Sequence, residues 1–238
     1  MKGTKVVPGP YHFSIFHHRY DDDEVSRLPP ALVVALMAPR EYLDAAYWHG
    51  RYESDEAESF DFYLSGKALV ETLKSFFDDV KKKKKVLVAG VGRSALGAEL
   101  EARGHSVVCF DRSVRVVHWA RSRYAARAIR YDAQDARALN YAKATFDVIV
   151  DKALCDAMLC DIDGLTAVND YLAEIRRVLR PNGLFLLVSH AKPKDRLPYF
   201  SLFQVQVETL NKPPINFDND DDKQLYLYVC RPRRGKNA

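Results

Sequence analysis

KVLVAGVGRSALGAELEARGHSVVCFD, residues 85–111, is the stretch that decides the fold. Its apolar run VLVA is typical of a strand buried on both faces of a parallel sheet. Gly90 and Gly92 follow at once, where larger side chains would keep a ligand away from the backbone. Ser94 then occupies the N-cap position of a predicted helix, and Gly104 the C-cap position. The pattern predicts a strand, a glycine turn, a helix and a second strand.

The acid that ends the second predicted strand indicates what the glycine turn binds. Asp111 follows Gly90 by 21 residues, and a carboxylate at this position can accept hydrogen bonds from both hydroxyls of a ribose. The turn GVGRSA, residues 90–95, also satisfies the looser dinucleotide fingerprint GxGxxA. Taken alone, the motif predicts a nucleoside cofactor and leaves a nicotinamide dinucleotide and S-adenosylmethionine both open.

The composition bounds the class of protein. With 238 residues the chain suits one large α/β domain, and its 47% hydrophobic and 29% charged residues are an ordinary globular balance. No apolar run approaches the roughly twenty residues that span a bilayer, and the N-terminus lacks the apolar core of a secretory signal. The four cysteines show no CxxC spacing, so we expect reduced thiols, no metal and a cytoplasmic location. A net charge of +4 permits a nucleic-acid partner without requiring one.

Strands and helices alternate through the middle of the chain. The hydrophobic pattern predicts strands at 86–89, 106–110, 128–131, 146–150 and 184–189, and helices at 40–52, 65–80, 94–103, 114–125 and 166–179. Such alternation predicts right-handed crossovers and a parallel sheet. The residues RPNG at 180–183 predict a turn between the last helix and the strand that follows it.

After residue 190 the pattern becomes that of antiparallel strands. Apolar and polar residues alternate over 200–210 and again over 223–231. We therefore predict an α/β fold, namely a Rossmann-like, doubly wound, seven-stranded sheet that is mostly parallel and ends in an antiparallel C-terminal strand pair. The predicted organisation is an N-terminal extension over 1–38, the α/β domain over 39–232 and a C-terminal tail over 233–238.

Three further features decide between the two cofactors. The strand FDVIVD ends on Asp151, where many dehydrogenases have another backbone turn. Asp135 follows the third strand, where its carboxylate can accept a hydrogen bond from the exocyclic amine of adenine. EIRRVLRPNGLFLLVS, residues 174–189, is the helix, turn and strand typical of class I methyltransferases. Together with the antiparallel strand pair, these features favour S-adenosylmethionine.

The span from about Tyr47 to Tyr199 resembles the class I, seven-stranded S-adenosylmethionine-dependent methyltransferases. More narrowly, it resembles the lysine methyltransferase-like group that includes enzymes modifying translation elongation factor 1-alpha. The motifs that carry the resemblance are YWHGRY (47–52), DFYLSGKALVETL (61–73), VLVAGVGRSALGAEL (86–100), DAQDARAL (132–139) and FDVIVDKALCDAML (146–159). The resemblance implies S-adenosyl-L-methionine as the cofactor and a protein lysine as the methyl acceptor.

The resemblance also implies a role for each matched residue. The YWHGRY element would fold over the cofactor, and Arg51 would pair with the cofactor carboxylate through its planar guanidinium group. Asp111 would hold the ribose hydroxyls, Asp135 and the Ala136 amide would bind adenine, and Asp151 would face the cofactor's ammonium group or the acceptor. The implied cofactor-binding residues are Tyr47, Trp48, Arg51, Gly90, Val91, Gly92, Arg93, Ser94, Asp111, Arg112, Ser113, Asp135, Ala136, Asp151 and Lys152.

The acceptor pocket is predicted in the same region. A lysine acceptor must lose its proton before it can attack, and desolvation in an apolar pocket favours the neutral amine. We predict that Asp151 and Asp156, as the candidate catalytic residues, form this pocket with nearby aromatic rings, and that a carboxylate or solvent accepts the proton. His190 ends the fifth strand on the ligand side, so it either lines the pocket or is an ordinary polar strand end.

The chain departs from the lysine methyltransferase-like pattern at four positions. Arg93 stands where the group usually has asparagine, His49 replaces an acid, Ala153 a glycine and Leu154 a threonine. The alternative functions on the same fold are an RNA or small-molecule methyltransferase and a catalytically silent methyltransferase-like scaffold subunit. We expect a protein partner that supplies the lysine, a nucleic acid being permitted but not required, and no membrane; the sequence leaves the oligomeric state open.

Overall fold

The structure is a computed structural model that describes residues 42–53, 61–77, 82–161, 163–210 and 224–233. The predicted N-terminal extension over 1–38 lies outside the described residues, and so do residues 234–238 of the predicted tail. Within the described part, no helix is long and apolar enough to cross a membrane.

Seven strands form one sheet, as the sequence predicts. Their bounds are β1 Lys85–Ala89, β2 Ser106–Asp111, β3 Ile129–Ala133, β4 Phe146–Lys152, β5 Leu179–Ser189, β6 Phe203–Leu210 and β7 Leu225–Pro232. The order across the sheet is β3-β2-β1-β4-β5-β7-β6. Strands β1 to β5 pair in parallel, whereas β7 is antiparallel to β5 and β6 is antiparallel to β7. The prediction of a mostly parallel sheet with an antiparallel C-terminal pair is therefore confirmed.

The described helices are mostly shorter than the hydrophobic pattern predicts. Their bounds are α1 Ala45–Arg51, α2 Gly66–Thr72, α3 Leu96–Ala102, α4 Val114–Arg123, α5 Leu154–Leu159, α6 Gly164–Val178 and α7 Pro193–Arg196, with 3₁₀ turns at Lys74–Phe76 and Leu197–Tyr199. The sequence analysis did not predict α5 or α7. Both have under two turns, which is too short for a helical period to show in the sequence.

Strand β1 carries an apolar layer on each face of the sheet. Val86 and Val88 belong to the layer that α2, α3 and α4 cover, whereas Leu87 and Ala89 belong to the layer that α5 and α6 cover. All four side chains are almost completely buried. The continuous apolar run VLVA therefore reflects burial on both faces, as expected of a central parallel strand.

Two predicted element boundaries are wrong. Helix α3 begins at Leu96 with Ala95 as its N-cap, so Ser94 lies one residue before the cap. The Ser94 oxygen accepts from the Leu96 amide at 3.3 Å, and its hydroxyl donates to Asp61. Strand β5 begins at residue 179 rather than 184, and RPNG lies inside it. Phe146 of β4 pairs with Leu179, whereas Val148, two residues further along β4, pairs with Leu184. RPNG is therefore a bulge in the strand rather than a turn before it.

The strand order positions the functional edge of the sheet. Strand β1 continues to β2 on one side, while β4 lies on its other side, so the order of the strands reverses between β1 and β4. In open α/β sheets, ligands bind beyond the carboxyl ends of the strands at such a reversal. The glycine turn after β1 and the segments after β2 and β4 all lie at this edge.

Candidate cofactor and acceptor site

A cleft opens at the carboxyl ends of β1, β2 and β4. It encloses about 790 Å³ of empty space, which includes space open to solvent. The predicted cofactor-binding residues that line it are Trp48, Gly90, Val91, Gly92, Arg93, Asp111, Arg112, Asp135, Ala136 and Lys152. The structure therefore brings the glycine turn, the acid at the end of β2 and the segment after β3 to one cavity.

The glycine turn after β1 has a backbone that needs glycine. Gly90 has φ = 58° and Gly92 has φ = 53°, both in the left-handed region. A Cβ on Gly92 would lie 2.9 Å from the Tyr52 hydroxyl, and one on Gly90 would lie 3.0 Å from Leu154 Cβ. A side chain at either position would strain the backbone and displace a residue that lines the cleft.

Asp111 joins the glycine turn to the end of β2. Its Oδ2 accepts a hydrogen bond from the Gly92 amide at 2.9 Å, and its Oδ1 accepts one from the Ser113 amide at 2.9 Å. Burial raises the pKa of Asp111, and the two amides together with Arg112 offset part of this rise. Because a carboxylate has about four lone-pair positions, these bonds leave capacity for the two hydroxyls of a ribose.

The carboxylate of Asp135 is engaged by two arginines. Arg137 donates to both of its oxygens, with Nε 3.0 Å from Oδ1 and Nη2 2.7 Å from Oδ2, and Arg112 Nη2 lies 3.3 Å from Oδ2. Partial burial alone would raise the pKa of Asp135, but these guanidinium groups hold it below its usual value. An adenine ring that bonds to Asp135 would therefore share this carboxylate with Arg137.

Aromatic side chains from the segment 42–52 form one wall of the cleft. The Trp48 ring stacks between Tyr42 and Tyr52, with centroids 5.5 Å and 6.0 Å away. Tyr47 packs edge-on against Tyr42 and Trp48. Trp48 thus lines the cleft as predicted, whereas Tyr47 and Arg51 are not among its lining residues.

Two arginines from the cofactor-binding loops tie this aromatic segment down. Arg93, in the glycine turn, donates through Nη2 to the Tyr52 carbonyl at 2.8 Å. Its guanidinium group also lies over the rings of Tyr52 and Trp119, at 5.9 Å and 5.3 Å from their centroids. Arg112, after β2, donates to the Leu43 carbonyl. The segment is therefore fixed at both of its ends to loops that line the cleft.

A buried ion pair that the sequence analysis missed lies inside the cleft. Lys152, at the end of β4, donates to the Asp61 carboxylate and, at 2.8 Å, to the Phe62 carbonyl. Ser94 donates to the other oxygen of Asp61 at 2.8 Å. Burial lowers the pKa of Lys152, and Asp61 opposes this shift. Asp61 belongs to the DFYLSG motif, but no local spacing connects it with a lysine 91 residues away.

Asp151 lies outside the set of residues that line the cleft. It is fully buried, and its carboxylate accepts hydrogen bonds from the Leu154 amide at 2.8 Å, the Cys155 amide at 3.1 Å and the Tyr171 hydroxyl at 2.9 Å. Burial and the nearby Asp156 raise the pKa of Asp151 to about 7. This geometry holds the start of α5, and the contact of Asp151 with the cofactor or the acceptor stays a prediction.

Alternation along β4 explains where Asp151 points. Successive side chains of a strand face opposite sides of the sheet. Lys152 therefore reaches Asp61 in the cleft, while Asp151 reaches Tyr171 on α6. Ser94 and Ser113, which were also predicted to bind the cofactor, lie behind the wall of the cleft. Ser113 caps α4 and Ser94 holds Asp61.

Asp156 is the centre of a second buried polar cluster beside the cleft. The Ser189 hydroxyl donates to its Oδ1 at 2.7 Å, the Tyr63 hydroxyl donates to its Oδ2 at 2.9 Å, and Arg196 donates to Oδ1. His190 Nδ1 lies 3.6 Å from Oδ2. Burial alone would raise the pKa of Asp156, but Arg196 and these donors hold it well below its usual value. Asp156 is therefore ionised at neutral pH.

The cleft fits the parts of S-adenosylmethionine. The glycine turn admits a ligand to the backbone, and Asp111 offers acceptors for a ribose. Ala136 and Phe110 supply apolar surface for a base. Among the described residues, the Nε atoms of Arg93 and Arg112 are buried without a hydrogen-bond partner. Both guanidinium groups line the cleft, and that of Arg93, in the glycine turn, matches a carboxylate in charge and geometry, whereas that of Arg112 contacts Asp135. The predicted pairing of Arg51 with the cofactor carboxylate stays a prediction.

The fold and the cleft together define a class I methyltransferase with a nucleoside cofactor. The family model described as a methyltransferase domain matches residues 87–187. The TehB-like S-adenosylmethionine-dependent methyltransferase of Corynebacterium glutamicum superposes with a TM-score of 0.56 at 19% identity, covering 79% of this chain and 98% of that chain. A Burkholderia thailandensis N1-methyltransferase, solved with S-adenosylhomocysteine, superposes with a TM-score of 0.55 at 18% identity, covering 87% of this chain and 92% of that chain.

Curated relatives are similar at the level of sequence. The mouse protein named EEF1A lysine methyltransferase 4 is 31% identical over 175 residues, covering 68% of this chain and 66% of the relative. The mouse eEF1A lysine and N-terminal methyltransferase is 32% identical over 158 residues, covering 64% of this chain and only 22% of that relative. The chain belongs to the class I S-adenosylmethionine-dependent methyltransferases and resembles their lysine methyltransferase-like group. Its cofactor is S-adenosylmethionine.

Proposed function

We propose that the chain transfers a methyl group from S-adenosylmethionine to a lysine side chain of a protein, by in-line displacement. The observation that carries this proposal is the sequence similarity to relatives named as eEF1A lysine methyltransferases. The matched region spans 66% of the first of these relatives, so the identity of the acceptor is a proposal for this chain. We propose elongation factor eEF1A as the first acceptor to test, and a cytoplasmic location stays a prediction.

In the proposed reaction, the residues of the chain mainly position the cofactor and the acceptor. S-adenosylmethionine supplies a methyl group bound to a positively charged sulfur. Orientation of bound reactants can contribute roughly 7–11 kcal/mol to lowering the barrier of such a displacement. We propose that the glycine turn and Asp111 fix the nucleoside, that Arg93 binds the carboxylate, and that the aromatic wall of 42–52 excludes water.

The acceptor end of the cleft suits a lysine. Phe62, Leu154 and Met158 line an apolar part of the cleft, and the cluster around Asp156 lies directly behind it. A free lysine has a pKa of about 10.4, and an apolar environment favours its neutral, nucleophilic amine. We propose that Asp156 organises this pocket. Asp151 acts through α5, whose first residue, Leu154, it holds.

A labelling experiment tests the proposed function. The purified chain is incubated with tritiated S-adenosylmethionine and recombinant bacterially expressed eEF1A, and labelled peptides are located by mass spectrometry. We expect label on lysine, and no label with Asp111→Asn, which replaces the proposed ribose acceptor. The exposed Asp170→Asn on α6 is the matched control and should label normally. A parallel reaction with cell extract is divided between protease and ribonuclease, and label lost only to ribonuclease would contradict a protein acceptor.

A further inference from the structure

Tyr63 is held in a strained turn beside the cleft. Its φ is 61°, which is rare for a residue with a bulky side chain. The Leu64 amide donates to the Phe62 carbonyl at 2.7 Å across Tyr63, which is the hydrogen bond of a γ-turn. Lys152 holds the same Phe62 carbonyl at 2.8 Å. Such strain persists where the surrounding structure imposes it, and it is concentrated at functional sites.

The strained turn brings the Tyr63 hydroxyl between an acid and an imidazole. The hydroxyl donates its only proton to Asp156 Oδ2 at 2.9 Å, and its oxygen lies 2.7 Å from His190 Nδ1. A hydroxyl that has donated its proton can only accept at the second contact. His190 Nδ1 must therefore carry a proton. In the neutral ring, the lone pair then lies on Nε2.

His190 lies at the edge of the sheet where the cleft opens. Val188 of β5 pairs with Lys152 of β4, which lines the cleft. His190 lies two residues after Val188, just past the end of β5. Its side chain is 31% exposed, whereas the carboxylate of Asp156 behind it is 1% exposed. The imidazole is thus the more exposed member of this pair, and it lies beside the cleft without being one of its lining residues.

We propose that His190 is the base that takes a proton from the acceptor lysine, and that Tyr63 and Asp156 are positioning residues that fix its tautomer. This inference rests on the proposed function. The Nε2 lone pair takes one proton from the lysine ammonium group, which leaves a neutral amine and an imidazolium. The amine nitrogen then bonds to the methyl carbon as the carbon–sulfur bond breaks, and that electron pair stays on sulfur. The imidazolium returns its proton to solvent.

The groups around His190 suit this role. Asp156 and Tyr63 face its Nδ1 side, and the Asp156 carboxylate at 3.6 Å stabilises the imidazolium that forms. Arg196 of α7 bonds to Asp156, which keeps that carboxylate ionised and unable to accept the substrate proton itself. Cys160, exposed after α5, is the further titratable group near Tyr63.

The first test measures the tautomer and does not depend on any activity. Imidazole nitrogen–proton correlation spectra of the ¹⁵N-labelled chain are recorded at pH 7.5, and His190 is assigned as the ring signal that His190→Asn removes. We expect the pattern of a neutral ring protonated at Nδ1. Tyr63→Phe should convert it to a mixture of tautomers. A wild-type His190 protonated at Nε2 would overturn the proposal.

The second test measures methyl transfer to eEF1A in the assay given above. His190→Asn keeps an N–H group close to the Nδ1 position but has no basic nitrogen, so kcat at pH 7.5 should fall about 100-fold. At pH 9.5 the deficit should shrink to under about 10-fold, because more of the lysine is already neutral. His118→Asn, an exposed histidine on α4, is the matched control. Thermal unfolding and S-adenosylhomocysteine binding should match wild type in both variants.

Three kinetic outcomes count against the inference. Wild-type kcat in His190→Asn overturns the base role. The same fold-loss at both pH values also overturns it, since a purely structural defect would not be relieved by a neutral acceptor. Absence of lysine labelling in wild type overturns the proposed function, and the base role falls with it. The tautomer of His190 is measured without any activity, so it shows separately whether Tyr63 and Asp156 fix the ring as proposed.

Discussion

Two neighbouring residues at the end of β4 perform different tasks because a strand alternates its side chains. Lys152 enters the cleft and holds Asp61, whereas Asp151 turns to the opposite face and holds the first amides of α5. Both are buried ionisable groups, and each has several hydrogen-bond partners, as burial of a polar group requires. The acid that the sequence offers as a catalytic candidate therefore holds the first amides of α5.

The raised pKa of Asp151 predicts a pH dependence of stability. In the unfolded chain an aspartate has a pKa of about 3.9, while in the folded chain the pKa of Asp151 is about 7. Between these values the folded state holds a proton that the unfolded state has released. The free energy of unfolding should therefore fall as pH rises through this window, by up to about 1.4 kcal/mol per pH unit. The stabilisation from Asp156, whose pKa is lowered, is complete above about pH 4 and is lost as pH falls below that value, so it does not change within this window.

Urea unfolding at pH 5 and pH 7.5 checks this prediction. Between the two values, wild type should lose about 2 kcal/mol more stability than Asp151→Asn, whose side chain does not titrate. The exposed Asp170→Asn should follow the wild-type pH profile. Parallel profiles for wild type and Asp151→Asn would show that Asp151 titrates near its ordinary pKa.

Two glycines with positive φ, one in the cleft and one away from it, allow the effect of backbone strain on stability to be separated from the effect on cofactor binding. Gly92→Ala and Gly104→Ala both place a side chain on a residue with positive φ, at 53° and 87°. A Cβ at Gly104 meets nothing within 4 Å, whereas one at Gly92 lies 2.9 Å from the Tyr52 hydroxyl. In urea unfolding, Gly104→Ala should lose about 1–2 kcal/mol of stability to backbone strain, and Gly92→Ala should lose at least as much because its Cβ also displaces Tyr52. Calorimetry should show a loss of S-adenosylmethionine affinity for Gly92→Ala alone. Equal affinity in the two variants would contradict the assignment of the turn.

At the scale of elements, the aromatic segment 42–52 depends on loops that belong to the sheet. Helix α1 has seven residues and no fully buried side chain, and its Trp48 packs against the core while partly buried. Arg93 and Arg112 supply bonds to the segment from the two loops that also line the cleft. Arg93 in place of the usual asparagine thus gives the glycine turn a second use, since a shorter side chain would not reach both Tyr52 and Trp119.

Arg93→Asn should release α1 without unfolding the sheet. It removes a charged hydrogen bond and two cation–π contacts, together worth about 2 kcal/mol, which corresponds to roughly 30-fold faster amide exchange where that contact controls opening. Hydrogen exchange followed by mass spectrometry should show this in residues 45–51, with β1 and β4 unchanged. Arg123→Asn on α4 is the control, because Arg123 lies over the Tyr124 ring but not over the segment. Unaltered exchange in residues 45–51 would contradict the conclusion that Arg93 holds this segment in place.

How far the sequence predicts an element depends on how local its cause is. The apolar run of β1 and the alternation in β6 and β7 are local patterns, and those strands are where the sequence predicts them. The bulge in β5 depends on its pairing with β4, and Ser94, just before α3, bonds to Asp61, 33 residues away. Neither partner can be seen within a short window of sequence, so the start of β5 is predicted wrongly and the bond to Asp61 is missed.

The same distinction holds for the site at the scale of the whole molecule. The glycine turn and the acid after it are a contiguous motif, and both line the cleft. Asp61 and Tyr63 reach the site from a turn preceding β1, through bonds to Lys152, Asp156 and His190 that span 91 to 127 residues. Only the folded sheet, with its strand reversal at β1 and β4, brings these partners together, so no spacing in the sequence could reveal them.

Cofactor binding should stabilise the whole molecule, because the cleft joins β1, β2, β4 and the aromatic segment. A ligand at 100 times its Kd adds about 2.7 kcal/mol, which for a domain of this size raises Tm by roughly 5–10 °C. S-adenosylmethionine and S-adenosylhomocysteine should both give this shift in a thermal unfolding scan. NADH should give none, although GxGxxA also fits a dinucleotide. Asp111→Asn should abolish the shift and Asp170→Asn should retain it, so a shift with NADH, or one that survives Asp111→Asn, would contradict the assignment of the cleft.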